Sequence, residues 1–276
     1  MHWLTTRYRI DLTCPKVMGI VNVTPDSFAD GGRHEGTAAA LAHCERLVEE
    51  GADILDLGGE SSRPGATEVP LEEERRRVMP ILKAALSLGV PISLDTYKPE
   101  LMREALDLGV DIVNDIAALR LPGALEAVAA HPRCGICLMH MEGEPRSMQD
   151  HPHYVDVVQE VRGFLAHRAK ALREAGVQSE RVVLDPGIGF GKTVAHNLTL
   201  LRRQAELADL GYPLLLGWSR KSTLGALTGR PVSDRMASSV AAGLAAVHLG
   251  AKLLRVHDVA ATVDALKVWR AAGLAI

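Results

Sequence analysis

The sequence predicts a single-domain α/β protein, a closed (β/α)8 barrel of the TIM-barrel class. Three observations carry this. The chain has 276 residues, about the length one such barrel needs. It repeats one unit, a short apolar strand, a Gly/polar loop and an amphipathic helix. Polar and charged side chains collect where the strands end and are scarce where they begin, as a site at the C-terminal mouth of a barrel requires. An open doubly wound sheet is the alternative, because helix–strand alternation alone does not show closure.

Met1–Pro15 precedes the first strand and is expected to plug or cover the barrel bottom, which leaves residues 16–276 as the barrel domain. The first apolar run, Val17–Asn22, ends in a long Gly/Asp-rich loop and leads to a helix at Thr37–Glu50. Asp53–Leu57 is the second strand, followed by the loop Gly58–Gly65 and the helix Leu71–Leu88. Pro91–Asp95 pairs with the helix Pro99–Leu108, and Val110–Asn114 with the helix Gly123–Ala130. Gly135–Met139 precedes the helix Tyr154–Ala175, and Val182–Asp185 precedes Leu198–Leu210. Pro213–Gly217 is followed by the turn GWSRKST, which leads into a helix that Ser219 or Ser222 is placed to cap, and then by Ser233–His248. Lys252–Val256 is the last strand and Ala260–Ala271 the closing helix. The strand runs are nearly continuous in Val, Ile and Leu, as expected of strands buried on both faces. Such connections force parallel pairing through right-handed crossovers.

Composition narrows the function. Hydrophobic residues make up 47% and charged residues 24%, which excludes a disordered chain. The net charge of −3 offers no broad basic face to nucleic acid. The N-terminus lacks a signal-peptide core and no run reaches the ~18 apolar residues of a membrane span. The expectation is therefore a cytoplasmic protein that binds neither nucleic acid nor membrane. Cys134 and Cys137 form a C-x-x-C inside an apolar strand run, which argues against a redox pair.

The strand ends deliver Asn22, the Gly58–Gly65 loop, Asp95, Asn114 with Asp115, His140, Asp185, Ser219–Ser222, and Arg255 with His257. Arg63, Arg220, Lys221 and Arg255, joined by His257, put several cationic groups at one mouth, which suits a strongly anionic ligand such as a phosphate. Asp185 and Asp95 would face that mouth, where a carboxylate can take two adjacent N–H donors of a flat heterocycle. Asn114 adds donor and acceptor capacity. Asp95 has a second reading, as cap of the helix that follows it. Asn22 offers a neutral amide oxygen suited to Mg²⁺ when substrate oxygens and waters complete the octahedron. DPGIGFGKT is not a P-loop, because Pro186 stands where the first glycine would be. It reads as a loop packing Phe190 against a ligand. His131, His140, His151 and His153 lack zinc-ligand spacing.

With these residues in view, the chain resembles the dihydropteroate synthase family from about Lys16 to the C-terminus. The stretches that carry the likeness are VMGIVNVTPDSFADGG and GADILDLGGESSRPGA, supported by SLDTYKP, IVNDI, LMHMEGEPRSMQ, VVLDPGIGFGKT, GWSRKST and LRVHDV. The resemblance implies condensation of (7,8-dihydropterin-6-yl)methyl diphosphate with 4-aminobenzoate to 7,8-dihydropteroate and diphosphate, with Mg²⁺, in a homodimer. It implies Asn22 as the metal ligand, and Asp95, Asn114, Asp185 and Lys221 around the pterin, with Met139 and Gly189 lining that pocket. Ser62, Arg63, Arg255 and His257 are implied as diphosphate contacts, with Arg255 also stacking on the pterin. Phe28, Ser62, Pro64, Phe190, Lys221 and Ser222 are implied on the aminobenzoate side, where sulfonamides would compete. Asp95, Lys221 and Arg255 are the expected catalytic set. The departures are small: Ser62 replaces a usual Thr, and Ala29 a common Ser. The rival reading is a pterin-dependent methyltransferase domain serving a corrinoid protein, which would not need the Ser219–Ser222 turn or the diphosphate cluster. A Schiff-base aldolase using Lys221 and a catalytically dead pterin-binding protein are more distant rivals.

Overall fold

Each of the eight apolar runs read as strands becomes a strand of one parallel sheet. The structure, a computed structural model, describes residues 1–23, 33–61, 65–143 and 146–274. A short antiparallel hairpin, β1 (His2–Leu4) and β2 (Arg9–Asp11), precedes eight parallel strands. These are β3 (Lys16–Asn22), β4 (Ile54–Gly58), β5 (Ile92–Asp95), β6 (Ile112–Asp115), β7 (Gly135–Met139), β8 (Val182–Asp185), β9 (Leu215–Leu216) and β10 (Leu253–Val256). Their order is β8-β7-β6-β5-β4-β3-β10-β9. A parallel bridge between Leu184 and Leu214 joins the two ends, and the Leu184 N–H donates to the Pro213 carbonyl at 3.0 Å. The sheet therefore closes, and the open doubly wound alternative falls away. The seam is short because Pro213 has no N–H for the ladder, which trims the expected strand 213–217 to two residues.

Ten helices are described, α1 (Arg33–Glu49), α2 (Leu71–Ala85), α3 (Pro99–Leu108), α4 (Ala124–Ala130), α5 (Val157–Glu174), α6 (Val194–Arg202), α7 (Ala205–Ala208), α8 (Ser222–Thr228), α9 (Met236–His248) and α10 (Val259–Ala271). Four of them correct the sequence reading. The stretch 198–210 is two helices, not one. It starts early because Thr193 Oγ1 accepts the His196 N–H while His196 Nδ1 accepts the Thr193 N–H, a capping box. It breaks at Gln204, whose buried amide leaves the helix surface to donate to the Ala246 and Leu249 carbonyls. The long helix expected from Tyr154 begins at Val157, where Asp156 accepts the Val158 and Gln159 N–H groups. Neither Ser219 nor Ser222 caps α8, because Lys221 occupies the position before it.

Side chains on a strand alternate between the two faces, and the packing shows which face is which. Met18, Ile54, Ile112, Cys137, Val183, Leu215 and Leu253 point into the barrel and form one buried cluster. The residues between them, such as Val17, Leu55, Val113, Leu138, Leu184 and Leu254, belong to the larger core beneath the helices. The inward cluster is completed from below by Trp3, Ile10 and Leu12 of the hairpin. The Trp3 indole N–H donates to the Arg181 carbonyl at 2.9 Å, just before β8. Arg7 pairs with Asp111 at 2.6 Å, just before β6. The hairpin thus seals the end where the strands begin. Counting upward by two from the apolar layer gives Asp56, Asn114, Met139, Asp185 and Arg255, all on the inward face. One layer is oil, and the next carries charge.

Candidate active site

The charged layer is organised around Arg255. Its Nε donates to Asp56 Oδ2 at 2.6 Å and its Nη2 to Asp95 Oδ2 at 2.7 Å. The Asn114 amide donates to the same Asp56 oxygen at 3.0 Å. Asp56 is buried, and its Oδ1 has no hydrogen-bond partner among the described residues. The second reading of Asp95 fails: Lys98, not Asp95, precedes α3, and it makes no side-chain cap. Burial pushes the Asp95 carboxyl up to about 7, against the pull of the Arg255 guanidinium and with the push of Asp56. The two carboxylates hold the Arg255 cation firmly charged despite its burial.

Asp185 ends β8 on the same inward face, and its Oδ1 accepts the Gly187 N–H at 2.7 Å. Burial raises its carboxyl to about 6, while that N–H and the charges of Lys221 and Arg255 pull it down. The glycine-rich loop that follows brings Phe190 under the Lys221 ammonium, 4.0 Å from the ring centroid, a cation–π contact. The Lys221 stem crosses Gly189 so closely that a Cβ there would lie 3.1 Å from Lys221 Cδ. Phe190 packs with Met139, Ile116, Met141 and Met148 into a small buried cluster, with Tyr97 against it. This gives an apolar wall beside a polar floor, the usual make-up of a site for a flat ligand.

The turn that presents Lys221 is strained and braced. Arg220 has φ +60°, a left-handed conformation that a residue with a Cβ adopts at a cost. Its guanidinium pairs with Asp258 at 2.6 Å, and its N–H donates to Ser239 Oγ at 2.9 Å. Arg220, one of the cations read into the mouth from sequence, is thus tied to Asp258. Ser219 Oγ lies 3.0 Å from His257 Nδ1 and accepts the His257 N–H at 3.1 Å, so β9 and β10 are fastened at their upper ends. Ser222 is exposed as the first residue of α8.

Asn22 ends β3 opposite Gly58, which in turn sits opposite Asp95. Its side chain makes no hydrogen bond to another described residue. Among the described residues no group of three His, Cys, Asp or Glu could hold a metal. One neutral oxygen donor without a protein cage fits Mg²⁺ held mainly by substrate oxygens and water. Phe28, Ser62, Arg63 and Pro64 lie outside the described residues.

The structure thus gathers Asp95, Asn114, Arg255, Asp185, Lys221, Gly189, Phe190 and Met139 around one mouth, with Asn22, His257 and Ser222 on its rim. Asp56 escaped the sequence reading, which took its candidates from the strand ends and the loops that follow them. The signal was there: Asp56 is a carboxylate two positions after inward-facing Ile54 in an otherwise apolar strand. Burial raises both thiols of the C-x-x-C, in Cys134 against the opposing pull of the Arg181 guanidinium, which keeps the pair protonated.

Comparison with known proteins points to one family. Residues 18–257 match the family described as pterin binding enzyme. The dihydropteroate synthase of Neisseria meningitidis serogroup C is 55% identical over 99% of this chain and 98% of its own length. The crystal structure of Xanthomonas albilineans dihydropteroate synthase with 4-aminobenzoic acid superposes with a TM-score of 0.91 at 54% identity, covering 96% of this chain and 95% of that one. The same enzyme in complex with 7,8-dihydropteroate gives a TM-score of 0.88 at 51% identity, with 96% of each chain covered. Nothing in these matches favours the corrinoid-linked methyltransferase. The chain belongs to the pterin-binding enzyme family, as one of its dihydropteroate synthases.

Proposed function

We propose that the site joins (7,8-dihydropterin-6-yl)methyl diphosphate to 4-aminobenzoate by a dissociative displacement, releasing diphosphate and 7,8-dihydropteroate. The observation that carries the mechanism is the floor: two carboxylates, Asp56 and Asp95, flank one guanidinium. With both carboxylates ionised, that trio is net negative where the pterin would lie. As the C–O bond to diphosphate breaks, positive charge develops on the pterin methylene and spreads into the ring. A fixed negative surplus beneath the ring favours that charge before it forms. Asp95 is the group placed to stabilise it. The amine of aminobenzoate then attacks the methylene carbon and gives up a proton, with no covalent enzyme intermediate.

The remaining residues position the partners. Asp185 and the Asn114 amide oxygen take the hydrogen-bonding edge of the pterin, while Met139 and Gly189 line its faces. Arg255 keeps Nη1 free of hydrogen bonds to described residues, which suits a contact to diphosphate as well as stacking. Lys221, with Phe190 beneath it and Ser222 next to it, receives the aminobenzoate carboxylate and ring. Phe28, Ser62, Arg63 and Pro64, with His257, complete the diphosphate and aminobenzoate contacts. Asn22 would hold Mg²⁺, which when bound supplies neutralisation of the departing diphosphate. We read the protein as a cytoplasmic homodimer. Leu227, Val232 and Met236, exposed in succession through α8, the turn after it and the start of α9, support a covered face there.

Positional isotope exchange tests the dissociative step. Pterin diphosphate labelled with ¹⁸O at the bridging oxygen, incubated with protein and Mg²⁺ but no aminobenzoate, should scramble label into non-bridging positions. Full activity with added aminobenzoate and no scrambling would sink the dissociative route. Absence of dihydropteroate under any condition would sink the reaction itself.

A further inference from the structure

Lys192 closes the glycine-rich loop after β8 and is almost wholly buried, with 3% of its surface exposed. Its ammonium forms no ion pair to a described carboxylate. Instead Nζ lies 2.9 Å from His140 Nδ1, 2.9 Å from the Phe190 carbonyl oxygen and 3.4 Å from the His140 carbonyl oxygen. His140 is an acceptor here: burial, with Lys192 beside it, holds its ring down to about 2, so the imidazole is neutral. A buried ammonium is costly without partners: burial pulls Lys192 down to about 7, with the Asp185 charge opposing, and its N–H groups are spent on two residues of two neighbouring loops.

Gly187 and Gly191 both have positive φ, +68° and +61°. A Cβ on Gly187 would fall 1.8 Å from the His140 carbonyl oxygen, and one on Gly191 2.6 Å from that of Glu142. The 187–192 loop is therefore pressed backbone to backbone against the 140–142 loop, and the Lys192 ammonium fastens it from beneath. Gly189, between them, is held separately: its N–H donates to Asn197 Oδ1 at 2.9 Å, and its carbonyl accepts from Gln149 at 2.6 Å.

We infer that Lys192, acting with His140, is a positioning residue that fixes Phe190 beneath Lys221 and so sets the affinity of the ring-binding half of the site, the half that takes 4-aminobenzoate. The inference rests on the reading of Phe190 as part of that half. The pterin half is anchored through Gly189 by Asn197 and Gln149, so the two halves respond differently when Lys192 is lost.

The test is steady-state kinetics of Lys192→Met, which keeps the stem and removes all three donors. The KM for 4-aminobenzoate rises about tenfold, the order expected for one lost buried hydrogen bond. The KM for pterin diphosphate, and its affinity by calorimetry, stay within about twofold. In a Phe190→Ala background the same substitution changes neither KM further, because the residue it acts through is gone. Should Lys192→Met fail to fold, Lys192→Gln, which keeps a short donor, is read by the same ratio of KM values. Equal rises in both KM values, no rise in that for aminobenzoate, or full additivity with Phe190→Ala overturns the inference alone. Phe190→Ala with a wild-type KM for aminobenzoate overturns the placing of Phe190 and the inference with it. A wild-type protein that makes no dihydropteroate overturns the reaction reading and both.

Discussion

Arg255 binds two carboxylates at once, and that single arrangement decides how the floor responds to mutation and to pH. Replacing Asp95 with Asn keeps its shape and removes its charge; turnover should fall by about 10²–10³ while the circular dichroism spectrum is unchanged. Wild-type turnover in that variant would remove Asp95 from the mechanism. The pH dependence follows from the raised carboxyls, about 7 for Asp95 and about 6 for Asp185. As pH falls through these values the groups protonate and the negative surplus disappears, so kcat/KM for pterin diphosphate falls in acid and levels off above neutrality. Stability runs the other way. Both folded values lie above the ordinary carboxyl value of 3.8, so the folded state holds the proton more tightly than the unfolded one. The stability these two groups contribute is full below about 4 and is lost as pH rises through about 6 to 7, which Tm against pH, compared with an Asp95→Asn, Asp185→Asn double variant, measures. At this scale the sequence told which strand ends were polar, but not which charges were already spent. Arg220 read as a mouth cation because its partner Asp258 lies 38 positions away and only the fold reveals it. Asp56 was overlooked because strand phase, which residues face inward, needs the packing to anchor it.

Among the elements, two loops at the mouth carry conformations that their own residues resist. The β8–α6 loop relies on glycine. Gly189→Ala would meet the Lys221 stem at 3.1 Å and also demand φ +80° of a residue with a Cβ. We expect it to fold with about 1–3 kcal/mol lost to strain and to raise the KM for aminobenzoate by shifting Lys221. An unchanged KM would show that Lys221 does not serve that half. The β6–α4 loop instead holds Ala118 and Leu119 at φ +53° and +58° without glycine. The Asp115 carboxylate there accepts the Ala117 and Leu119 N–H groups at 2.6 and 2.7 Å, and Arg168 donates to the Ala118 and Leu119 carbonyls at 2.8 and 2.9 Å. That brace sets Ile116 in the apolar wall. Arg168→Met should therefore lower Tm and weaken pterin diphosphate binding together; a loss of stability alone would confine the brace to folding. The elements themselves were legible wherever an apolar run was bounded by glycine or proline. They were misread where a side chain outside the pattern decided the boundary, as Thr193 does for α6 and Gln204 for the break before α7.

For the whole molecule, the barrel class was legible from the count and phase of the units. Closure was not, because it rests on one bridge at Leu184 and Leu214 that no local pattern announces. The interior divides into an apolar lower layer sealed by the hairpin and a charged upper layer open to substrate. Trp3→Ala would empty the centre of the seal and should cost about 3–5 kcal/mol, as expected for a fully buried large aromatic. Chemical denaturation should show that loss with kcat retained in the folded fraction. Retained stability would mean that the hairpin is decoration.

The seal also imposes an order of events on biosynthesis. Trp3 leaves the ribosome well before its partners, yet its indole bonds the carbonyl of Arg181, 178 positions later, and its cluster includes Leu253 of β10. The hairpin must therefore wait, unsatisfied, until β10 has emerged, a contact of the long sequence separation that slows folding. The burial of Trp3 should accordingly be one of the last optical changes during refolding, after most helical signal has returned, and a nascent chain stalled before β10 should remain open at its base.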